Sequence, residues 1–289
     1  MDGLFFYVKW SCLCGNGNAP DNLTYFFWKE GDDVKYYVMS DTHGFYYETV
    51  KALKENGFFN DSEPHKLILC GDMMDRGREA VKLQNFMSEL LSKRELIFVR
   101  GNHEDLMVNM INKIDLYMWD IALGTSNHNS NGTWDTALQL AGIKESFALR
   151  DIHKFADKVA DSDFYKELIP ASVDYYETEH HVFVHGWIPV RGNANFSYDP
   201  KWRNANRQKW NGARWLNGMD MAEKYKVVEP GKTIVCGHWH CSYGHCEYNR
   251  AGSEFGPTAN FEPYYGNGVI AIDACTALSG KVNCIIIED

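Results

Sequence analysis

Residues 66–77 of this chain read KLILCGDMMDRG, and the expected fold follows from this stretch. Its first part, residues 66–70, is a short apolar run that stops at Gly71. Asp72, Asp75 and Arg76 come directly afterwards. A buried strand that ends in polar residues is typical of a parallel sheet, where ligands gather outside the carboxyl ends of the strands. We therefore predict a strand over 66–70 and a functional loop over 71–77.

The same arrangement occurs four more times along the chain. The four apolar runs and their polar loops are 36–39 with SDTHG (40–44), 96–99 with RGNHE (100–104), 181–184 with HGW (185–187), and 233–236 with GHWH (237–240). Each run is short, rich in β-branched or aromatic residues and closely followed by glycine, which predicts a buried strand. Five such strands would deliver five polar loops to one edge of a sheet.

Segments with helical spacing separate the first strands. The apolar residues of 47–55 and of 79–91 recur at intervals that place them on one face of a helix. Residues 105–176 also predict mainly helix and carry no metal-ligand spacing, so we expect a helical cap or flank there. Alternation of strand and helix in the first hundred residues predicts an α/β domain with parallel strand pairing.

The remaining segments complete the predicted domain. Residues 191–229 are rich in Asn, Trp and Arg and predict a long surface excursion, which is uncommon unless it covers a site. Residues 269–272 and 282–287 predict two final strands that pair antiparallel with each other. We expect a single domain over 36–289, preceded by an N-terminal extension over 1–35 of unclear role.

Composition and charge exclude several classes of protein. The chain has 289 residues, a net charge of −10 and 45% hydrophobic residues, as in an ordinary globular protein. No apolar run approaches the roughly 20 residues that span a bilayer, and residues 4–8 form too short a run for a signal peptide. We therefore expect a cytoplasmic protein that does not bind membranes. The acidic balance also argues against nucleic acid as a partner.

Cysteine usage gives no sign of a disulfide framework or a zinc site. The eight cysteines are sparse for a disulfide-stabilised scaffold, which is usually a small secreted chain. Cys12 with Cys14, and Cys241 with Cys246, lack the spacing of zinc knuckles. We expect reduced and mostly buried thiols.

The five polar loops carry many groups that can bind metal. These groups are Asp41, His43, Asp72, Asp75, Asn102, His103, His185, His238 and His240. Oxygen and imidazole donors without thiolate suit Mn, Fe or Zn better than calcium or magnesium. There are too many ligands for one ion. Two ions about 3.5–4 Å apart that share a carboxylate are suited to displacement at phosphorus, which predicts phosphoester hydrolysis.

The order DxH, GDxxDRG, GNHE, His-Gly and GHxH resembles that of the calcineurin-like metallophosphoesterases. The DRG and GNHE forms are those of the phosphoprotein phosphatase superfamily. This superfamily includes eukaryotic Ser/Thr phosphatases, bacterial and phage phosphatases, and symmetrical diadenosine tetraphosphate hydrolases. The resemblance runs from about residue 37 to 243. It implies a central β-sandwich of mixed sheets flanked by helices, with the active site at the carboxyl ends of the strands.

The resemblance also assigns a role to each motif residue. The implied metal ligands are Asp41 and His43 for one ion, Asp72 as the bridge, Asn102, His185 and His238 for the second ion, and His240 as a further ligand. His103 would be the general acid, oriented by Asp75, which agrees with the need to protonate a departing alkoxide. Arg76 would clamp the phosphoryl oxygens, as its always-charged planar guanidinium suits.

The resemblance also implies a second arginine that binds the phosphate, and the spacing of the motifs does not identify it. Arg76, Asn102 and Arg214 are the substrate-binding residues that we expect from the resemblance. Arg191, Arg203 and Arg207 compete with Arg214 for this role, and spacing does not choose among them.

The predicted function is hydrolysis of phosphomonoesters by in-line attack of a metal-bridging hydroxide. The expected substrate is phosphoserine or phosphothreonine in proteins, or a small phosphate ester, and the expected cofactors are two divalent ions, Mn first, with Fe or Zn as alternatives. One alternative is a symmetrical bis(5'-nucleosyl)-tetraphosphate hydrolase. Another is an inactive fold used as a binding module.

Two further features admit two interpretations. The tryptophans near the motifs are Trp187, Trp202, Trp210, Trp215 and Trp239. They either pack in the core, as large aromatic residues mostly do, or form a stacking wall for a nucleobase. His128, Asn129 and Asn131 resemble a patch in bacterial relatives, but a polar turn explains them equally. We assign His245 a structural role.

Overall fold

The computed structural model describes residues 34–289. The N-terminal extension predicted over 1–35 lies almost wholly outside the described residues, as do Cys12 and Cys14. Within the described range, no helix is both long and apolar enough to cross a membrane. The single domain over 36–289 and the cytoplasmic location stay predictions. The six cysteines of the described range are free, and Cys70, Cys236 and Cys241 are buried.

The strands of the described range form two large sheets and a small ladder. They are β1 (Lys35–Met39), β2 (His65–Cys70), β3 (Leu96–Val99), β4 (Tyr176–Glu177), β5 (His181–Phe183), β6 (Val190–Arg191), β7 (Ser197–Tyr198), β8 (Thr233–Cys236), β9 (Tyr264–Gly266), β10 (Val269–Ala271) and β11 (Ile285–Glu288). The first sheet has the order β11-β1-β2-β3 and the second β4-β5-β8-β10-β9, while β6 pairs with β7. In both large sheets the inner strands are parallel and at least one edge strand is antiparallel.

The two sheets pack face to face, and the pleat of β1 shows how the sequence achieves this. Tyr36 and Val38 lie in a buried cluster that also contains Phe183 and Val235 of the second sheet. Their neighbours along the strand, including Tyr37, lie in a different cluster that joins the first sheet to helices. Alternate side chains point to opposite faces of a strand, so β1 is buried on both sides. The predicted β-sandwich of mixed sheets flanked by helices is confirmed.

Helices cover the outer faces of both sheets. They are α1 (Tyr46–Glu55), α2 (Ala80–Ser92), α3 (Asn102–Asn112), α4 (Ile114–Ala122), α5 (Asn127–Ser130), α6 (Thr133–Ala141), α7 (Glu145–Ala148), α8 (Ile152–Ala160), α9 (Ile169–Ala171), α10 (Arg207–Ala213), α11 (Gly218–Glu223), α12 (Cys241–Glu247) and α13 (Thr276–Ser279). Single 3₁₀ turns cover Phe58–Asn60 and Trp202–Asn204, and a π-helical turn covers Phe164–Leu168. The mainly helical character predicted for 105–176 agrees with α3 to α9.

The segment 191–229 departs from the surface excursion that its composition predicts. Trp202 and Trp210 are almost fully buried and pack with Met219 and Met221 against the outer face of the second sheet. This segment therefore supplies the outer layer of the sandwich. Trp202 and Trp210 are buried because each removes a large apolar area from water, which outweighs the polarity of the residues around them.

The predicted pairing of the last two strands is wrong. β10 pairs with β8 and β9 in the second sheet, whereas β11 pairs with β1 in the first. Between them, α13 carries the chain across the sandwich instead of a tight hairpin turn. Both strands are apolar on their own, and apolar content does not specify the partner of a strand.

The five motif strands are where the sequence predicts them, but they divide between two sheets. β1, β2 and β3 lie in the first sheet, and β5 and β8 lie in the second. All five are parallel within their sheets. Three loops from one sheet and two from the other then meet at the same end of the sandwich, which is where a shared site can form.

Candidate dinuclear metal centre

Two groups of side chains at this end of the sandwich have the geometry of metal ligands. The first contains His43, Asp72 and His103, and the second contains Asp72, His185 and His238. In each group the possible ligand atoms lie within 4.8 Å of one another. Asp72 belongs to both groups, so its carboxylate lies between two potential ion positions.

The two oxygens of Asp72 face different groups of histidines. Oδ2 lies 3.9 Å from Nε2 of His43 and 3.7 Å from Nε2 of His103. Oδ1 lies 3.3 Å from Nε2 of His185 and accepts a hydrogen bond from the backbone N–H of His103 at 2.9 Å. One carboxylate oxygen is therefore available on each side, as a bridging ligand requires.

Backbone carbonyls fix the tautomers of two of these histidines. Nδ1 of His43 lies 2.9 Å from the carbonyl oxygen of Met74, and Nδ1 of His185 lies 2.9 Å from that of Cys70. A carbonyl oxygen only accepts, so Nδ1 carries the proton in both rings. This places the Nε2 lone pair of each neutral ring on the side of Asp72. Such pairing is the usual support for a histidine that binds metal through its other nitrogen.

The donor atoms present fit divalent metal ions. Buried imidazole nitrogens and carboxylate and amide oxygens surround Asp72 without a thiolate, and this combination is typical of Mn, Fe and Zn sites. Asn102 joins the second group, because its Oδ1 lies 2.7 Å from Nε2 of His185. Asp41 lies between the loops: its Oδ2 accepts from the backbone N–H of His238 at 2.9 Å, and its Oδ1 is 3.8 Å from Nε2 of His43.

The backbone of the site adopts an uncommon conformation. Ten non-glycine residues of the described chain have positive φ, and six of them are predicted site residues: Asp41, His43, Asp72, Asp75, Arg76 and His238. A side chain in the left-handed region costs roughly 1–3 kcal/mol and persists only where surrounding contacts hold it. Strain of this kind concentrates where side chains must converge on one point, which agrees with a functional site.

Glu104 is one of the groups that hold these loops, although no role is predicted for it from the sequence. Its fully buried carboxylate accepts hydrogen bonds from the backbone N–H groups of Gly101 at 2.7 Å and of Asp72 and Met73 at 3.0 Å. Burial, together with the charge of Asp72, raises the pKa of Glu104 to about 7. The last residue of the GNHE motif therefore ties the loop after β3 to the loop after β2.

His103, Asp75 and Arg76 form a hydrogen-bonded set beside the first group. Nδ1 of His103 donates to Oδ2 of Asp75 at 2.6 Å. Arg76 donates through Nη1 to Nε2 of His43 at 2.8 Å and through Nη2 to Nε2 of His103 at 3.3 Å. Burial opposes a charge on His103, but the carboxylates of Asp72 and Asp75 outweigh it and raise its pKa. The imidazole is thus held beside the shared carboxylate with its Nε2 free of any carboxylate hydrogen bond.

The electrostatics of the second group are asymmetric. Burial opposes protonation of His185, yet Asp72 and Asp41 raise its pKa to about 10. Burial, with the charge of His185, lowers the pKa of His238 to about 3. Burial also opposes ionisation of Asp72, but His185 and His103 hold its pKa well below the usual value. The carboxylate of Asp72 therefore lies beside a proton on His185, and a metal cation bound there would replace that proton.

The structure gives His240 and Arg214 other partners. Nε2 of His240 lies 2.9 Å from Oε1 of Glu254, and His240 is in neither group of potential ligands. The guanidinium of Arg214 is 4% exposed and binds Asp174, Asp105 (2.6 Å) and the carbonyl of Arg100 (3.1 Å). The partners of both residues lie in other segments of the chain, so the local sequence does not indicate these hydrogen bonds. Their roles as ligand and phosphate clamp stay predictions.

The competing arginines lie in the outer layer of the second sheet. Arg203 binds Glu177 and Glu229, Arg191 lies 3.4 Å from Asp199, and Arg207 is exposed on α10. The ion pairs of Arg203 and Arg191 are therefore with carboxylates of the second sheet and its outer layer.

His128 lies inside the fold, whereas Asn129 and Asn131 are only half-buried. His128 is 1% exposed, packs against the ring of Tyr117 at 4.6 Å, and has no hydrogen bond to its ring nitrogens among the described residues. Nε2 of His245 lies 3.0 Å from the carbonyl oxygen of Glu262, and its structural role stays a prediction.

The five tryptophans separate into core and site. Trp187, like Trp202 and Trp210, is almost fully buried in the core. Trp215 is 50% exposed, and its ring lies 5.7 Å from that of His238. Trp239 lies between His238 and His240, 6.1 and 6.0 Å from their rings.

These rings continue to Phe255, which is 52% exposed and 4.8 Å from the ring of His240. Trp215, His238, Trp239, His240 and Phe255 thus form a continuous row, which we call the aromatic row. It includes the candidate metal ligand His238 and reaches solvent at both ends, at Trp215 and Phe255.

Asp273 is a further site residue that the sequence analysis missed. It follows β10, is 6% exposed, and its Oδ1 accepts from the backbone N–H of Cys275 at 2.7 Å. Burial, followed by the charge of Asp273, raises the pKa of Asp41 well above its usual value. The same signal, an apolar run that stops at aspartate, was present at residues 269–273 of the sequence.

A family model agrees with this geometry. Residues 34–242 match the model described as calcineurin-like phosphoesterase. The chain belongs to the calcineurin-like phosphoesterase family. The match confirms the family that the motifs predict and the enzyme class that it implies, and it spans the five motif strands of the phosphoesterase.

Two curated relatives are similar over part of the phosphoesterase. Both carry the name asymmetrical bis(5'-nucleosyl)-tetraphosphatase PrpE. The protein from Bacillus velezensis is 32% identical over 76 residues, which cover 24% of this chain and 30% of the relative. The protein from Halalkalibacterium halodurans is 22% identical over 138 residues, covering 46% and 52%. The aligned part thus spans about a third to a half of the length of these relatives.

Solved structures with a similar arrangement include two phosphatases. A cold-active protein-tyrosine phosphatase from a Shewanella species has a TM-score of 0.48 and 14% identity, with 90% of this chain and 76% of that chain covered. A protein serine/threonine phosphatase from Saccharomyces cerevisiae has a TM-score of 0.46 and 15% identity, with 89% and 81% covered.

Proposed function

We propose that this chain is a dinuclear metal-dependent phosphatase that hydrolyses phosphomonoesters, with Mn as the first choice of metal and Fe or Zn as alternatives. The observation that carries the proposal is the position of Asp72 in both groups of potential ligands. A carboxylate shared between two ions is the arrangement that two-metal hydrolases of phosphate esters use. The family match supports the same reaction class.

The contacts around Asp72 support a set of proposed ligands. His43 with Asp41 would hold one ion, and His185 with His238 and Asn102 the other, with Asp72 between them. Two divalent ions bound there would acidify a water molecule and offset charge on the phosphoryl group. The backbone carbonyls of Met74 and Cys70 orient the rings of His43 and His185.

His103 is the proposed general acid. Its Nδ1–H is fixed by Asp75, so that Nε2 is directed to the side of Asp72 where the substrate would bind. A proton on Nε2 would pass to the oxygen of the leaving group as the phosphorus–oxygen bond breaks. Arg76 donates hydrogen bonds to His43 and His103. When a substrate binds, the same N–H groups would donate to its phosphoryl oxygens instead.

For the substrate, we propose the phosphorylated side chain of a protein or a small phosphate ester. A second candidate is a dinucleoside polyphosphate, and the observation that favours it is the aromatic row. Exposed rings beside a phosphate site are suited to stacking a nucleobase, and the names of the two curated relatives agree with this choice.

A substrate panel with defined metals tests these proposals. The purified full chain is stripped with chelator, reloaded with Mn, Fe, Zn or Mg, and assayed with 4-nitrophenyl phosphate, a phosphoserine peptide and diadenosine tetraphosphate. We expect turnover of the monoesters that is restored by Mn and abolished by chelator. Preference for the dinucleotide with any metal would replace the first candidate by the second. Absence of turnover together with metal content far below two ions per chain would favour the binding module and overturn both.

A further inference from the structure

Helix α6 lies along the loop that holds Asp75 and Arg76, and it contacts that loop through three side chains. The backbone N–H of Asp75 donates to Oγ1 of Thr136 at 3.1 Å. Oγ1 of Thr133 donates to Oδ2 of Asp75 at 2.7 Å. Gln139 donates through Nε2 to the carbonyl of Gly77 at 3.0 Å. Both threonines are fully buried, so these hydrogen bonds are shielded from competition with water.

The loop needs this support because its backbone is strained. Asp75 and Arg76 are consecutive residues with φ of 78° and 65°. Gly132, which precedes α6, allows the helix to approach them: a Cβ atom there would lie 2.5 Å from the backbone nitrogen of Arg76. Consecutive left-handed residues persist only where the surroundings hold them. The start of α6 lies against both residues.

The hydroxyl of Thr133 acts on the carboxylate oxygen that also holds His103. Oδ2 of Asp75 accepts from Nδ1 of His103 at 2.6 Å and from Thr133 at 2.7 Å. Oδ1 is buried and has no hydrogen-bond partner among the described residues. Rotation of the carboxylate about its Cβ–Cγ bond would break both bonds at Oδ2, so Thr133 and His103 fix its orientation together.

We propose that Thr133 is a positioning residue for the general acid, acting through Asp75 on the orientation of His103. The proposal rests on the proposed phosphatase function for its kinetic consequence, but not for its structural one. The side-chain hydrogen bond of Thr133 is with Asp75, which is not one of the proposed metal ligands, so its effect should be confined to the step in which His103 delivers a proton.

The kinetic test compares Thr133→Val, which keeps the shape and loses the hydroxyl, with Thr133→Ser, which keeps the hydroxyl. Glycerol 2-phosphate has a basic leaving group that needs a proton, whereas 4-nitrophenyl phosphate needs one much less. We expect Thr133→Val to lower kcat about tenfold for glycerol 2-phosphate and less than about threefold for the aryl ester, with KM and metal content unchanged. Thr133→Ser should stay within about threefold of the parent for both. Equal losses for the two esters, no loss, or a serine variant as impaired as the valine variant would overturn the proposal.

A spectroscopic test is independent of turnover. In the full chain loaded with Zn, the Nδ1 proton of His103 in its short hydrogen bond to Asp75 should give a far-downfield NMR resonance, assigned with His103→Asn. We expect the resonance to shift or broaden in Thr133→Val and to keep its position in Thr133→Ser. The same resonance in all three proteins would overturn the proposal. If the parent hydrolyses no phosphate ester, the phosphatase assignment fails, while this resonance still decides the role of Thr133.

Discussion

Oδ1 of Asp72 lies 3.3 Å from Nε2 of His185, although the two residues follow strands of different sheets. Asp72 comes after β2 in the first sheet, and His185 comes after β5 in the second. The candidate metal centre is therefore built across the sandwich and not within one sheet. Any ion that binds both residues also links the two sheets, so metal binding should stabilise the fold as well as supply chemistry.

Asp72→Asn should remove metal from the protein. The amide is neutral and offers a single oxygen, so it cannot serve both ligand groups as the carboxylate does. We expect the metal content to fall from about two ions per chain to less than one, measured by elemental analysis of protein purified without chelator. Asp115→Asn is the matched control, since Asp115 is exposed and pairs with His153, which is not a site residue. Retention of both ions in Asp72→Asn would show that Asp72 is not the bridge.

Metal binding should release a proton from His185. Its pKa of about 10 means that this imidazole is protonated at pH 8 in the metal-free protein. The cation must displace that proton, so affinity for metal should increase with pH by up to about tenfold per unit until pH approaches 10. Calorimetry in two buffers of different ionisation enthalpy measures the released proton directly. A heat of binding that does not depend on the buffer would contradict the prediction.

His103→Asn should lower turnover without loss of metal. His103 lies near Asp72 in one of the two ligand groups, so the structure admits a metal ligand as well as an acid at this position. The hydrogen bond to Asp75 favours the acid, and removal of a general acid typically costs about 10²–10⁴ in rate. We expect the loss to be greater for glycerol 2-phosphate than for 4-nitrophenyl phosphate. Loss of one ion per chain would assign His103 to the metal instead.

The motif loops could be predicted from the sequence because each combines local signals. An apolar run specifies a strand, glycine ends it, and the polar residues follow at a fixed position, as at residues 66–77. Asp72 and His185 were therefore placed correctly at strand ends without knowledge of the sheets. The bounds of β3 and β8 agree with the predicted runs for the same reason.

What the sequence did not indicate depends on contacts through space. The partner of β11 is β1, far away in the chain, and nothing in residues 282–287 specifies it. The ion pairs of Arg214 with Asp105 and Asp174 join three different segments. Thr133 resembles any threonine at the start of a helix until the fold brings it to Asp75. Such contacts follow from packing, which has no local sequence signal.

Trp215→Ala tests whether the aromatic row binds a nucleobase. Half of the Trp215 side chain is exposed beside His238, and loss of one stacking surface is worth about 1–3 kcal/mol per base. We expect KM for diadenosine tetraphosphate to rise about tenfold or more, while KM for glycerol 2-phosphate stays unchanged. Trp119→Ala, which removes a 75% exposed tryptophan from α4, is the control. Equal KM values for the dinucleotide in both variants would leave the row without a role in binding.

Gly132→Ala should destabilise the loop of Asp75 and Arg76 more than its own backbone conformation explains. Gly132 and Gly142 flank the same helix, α6, with φ of 84° and 65°, so alanine is strained at both positions. At Gly142 the new Cβ meets nothing within 4 Å, whereas at Gly132 it would lie 2.5 Å from the backbone of Arg76.

Gly142→Ala should therefore cost about 1 kcal/mol, and Gly132→Ala about 2–4 kcal/mol, because a steric overlap adds to the strain. In a chain of this size the difference corresponds to a Tm lower by about 2–5 °C, measured by calorimetry of the metal-loaded protein. Gly132→Ala should also lower kcat for glycerol 2-phosphate, because the clash moves the residues that orient His103. Equal Tm and kcat in the two variants would mean that the loop can shift away from α6 freely, and the contact would then not hold Asp75 in place.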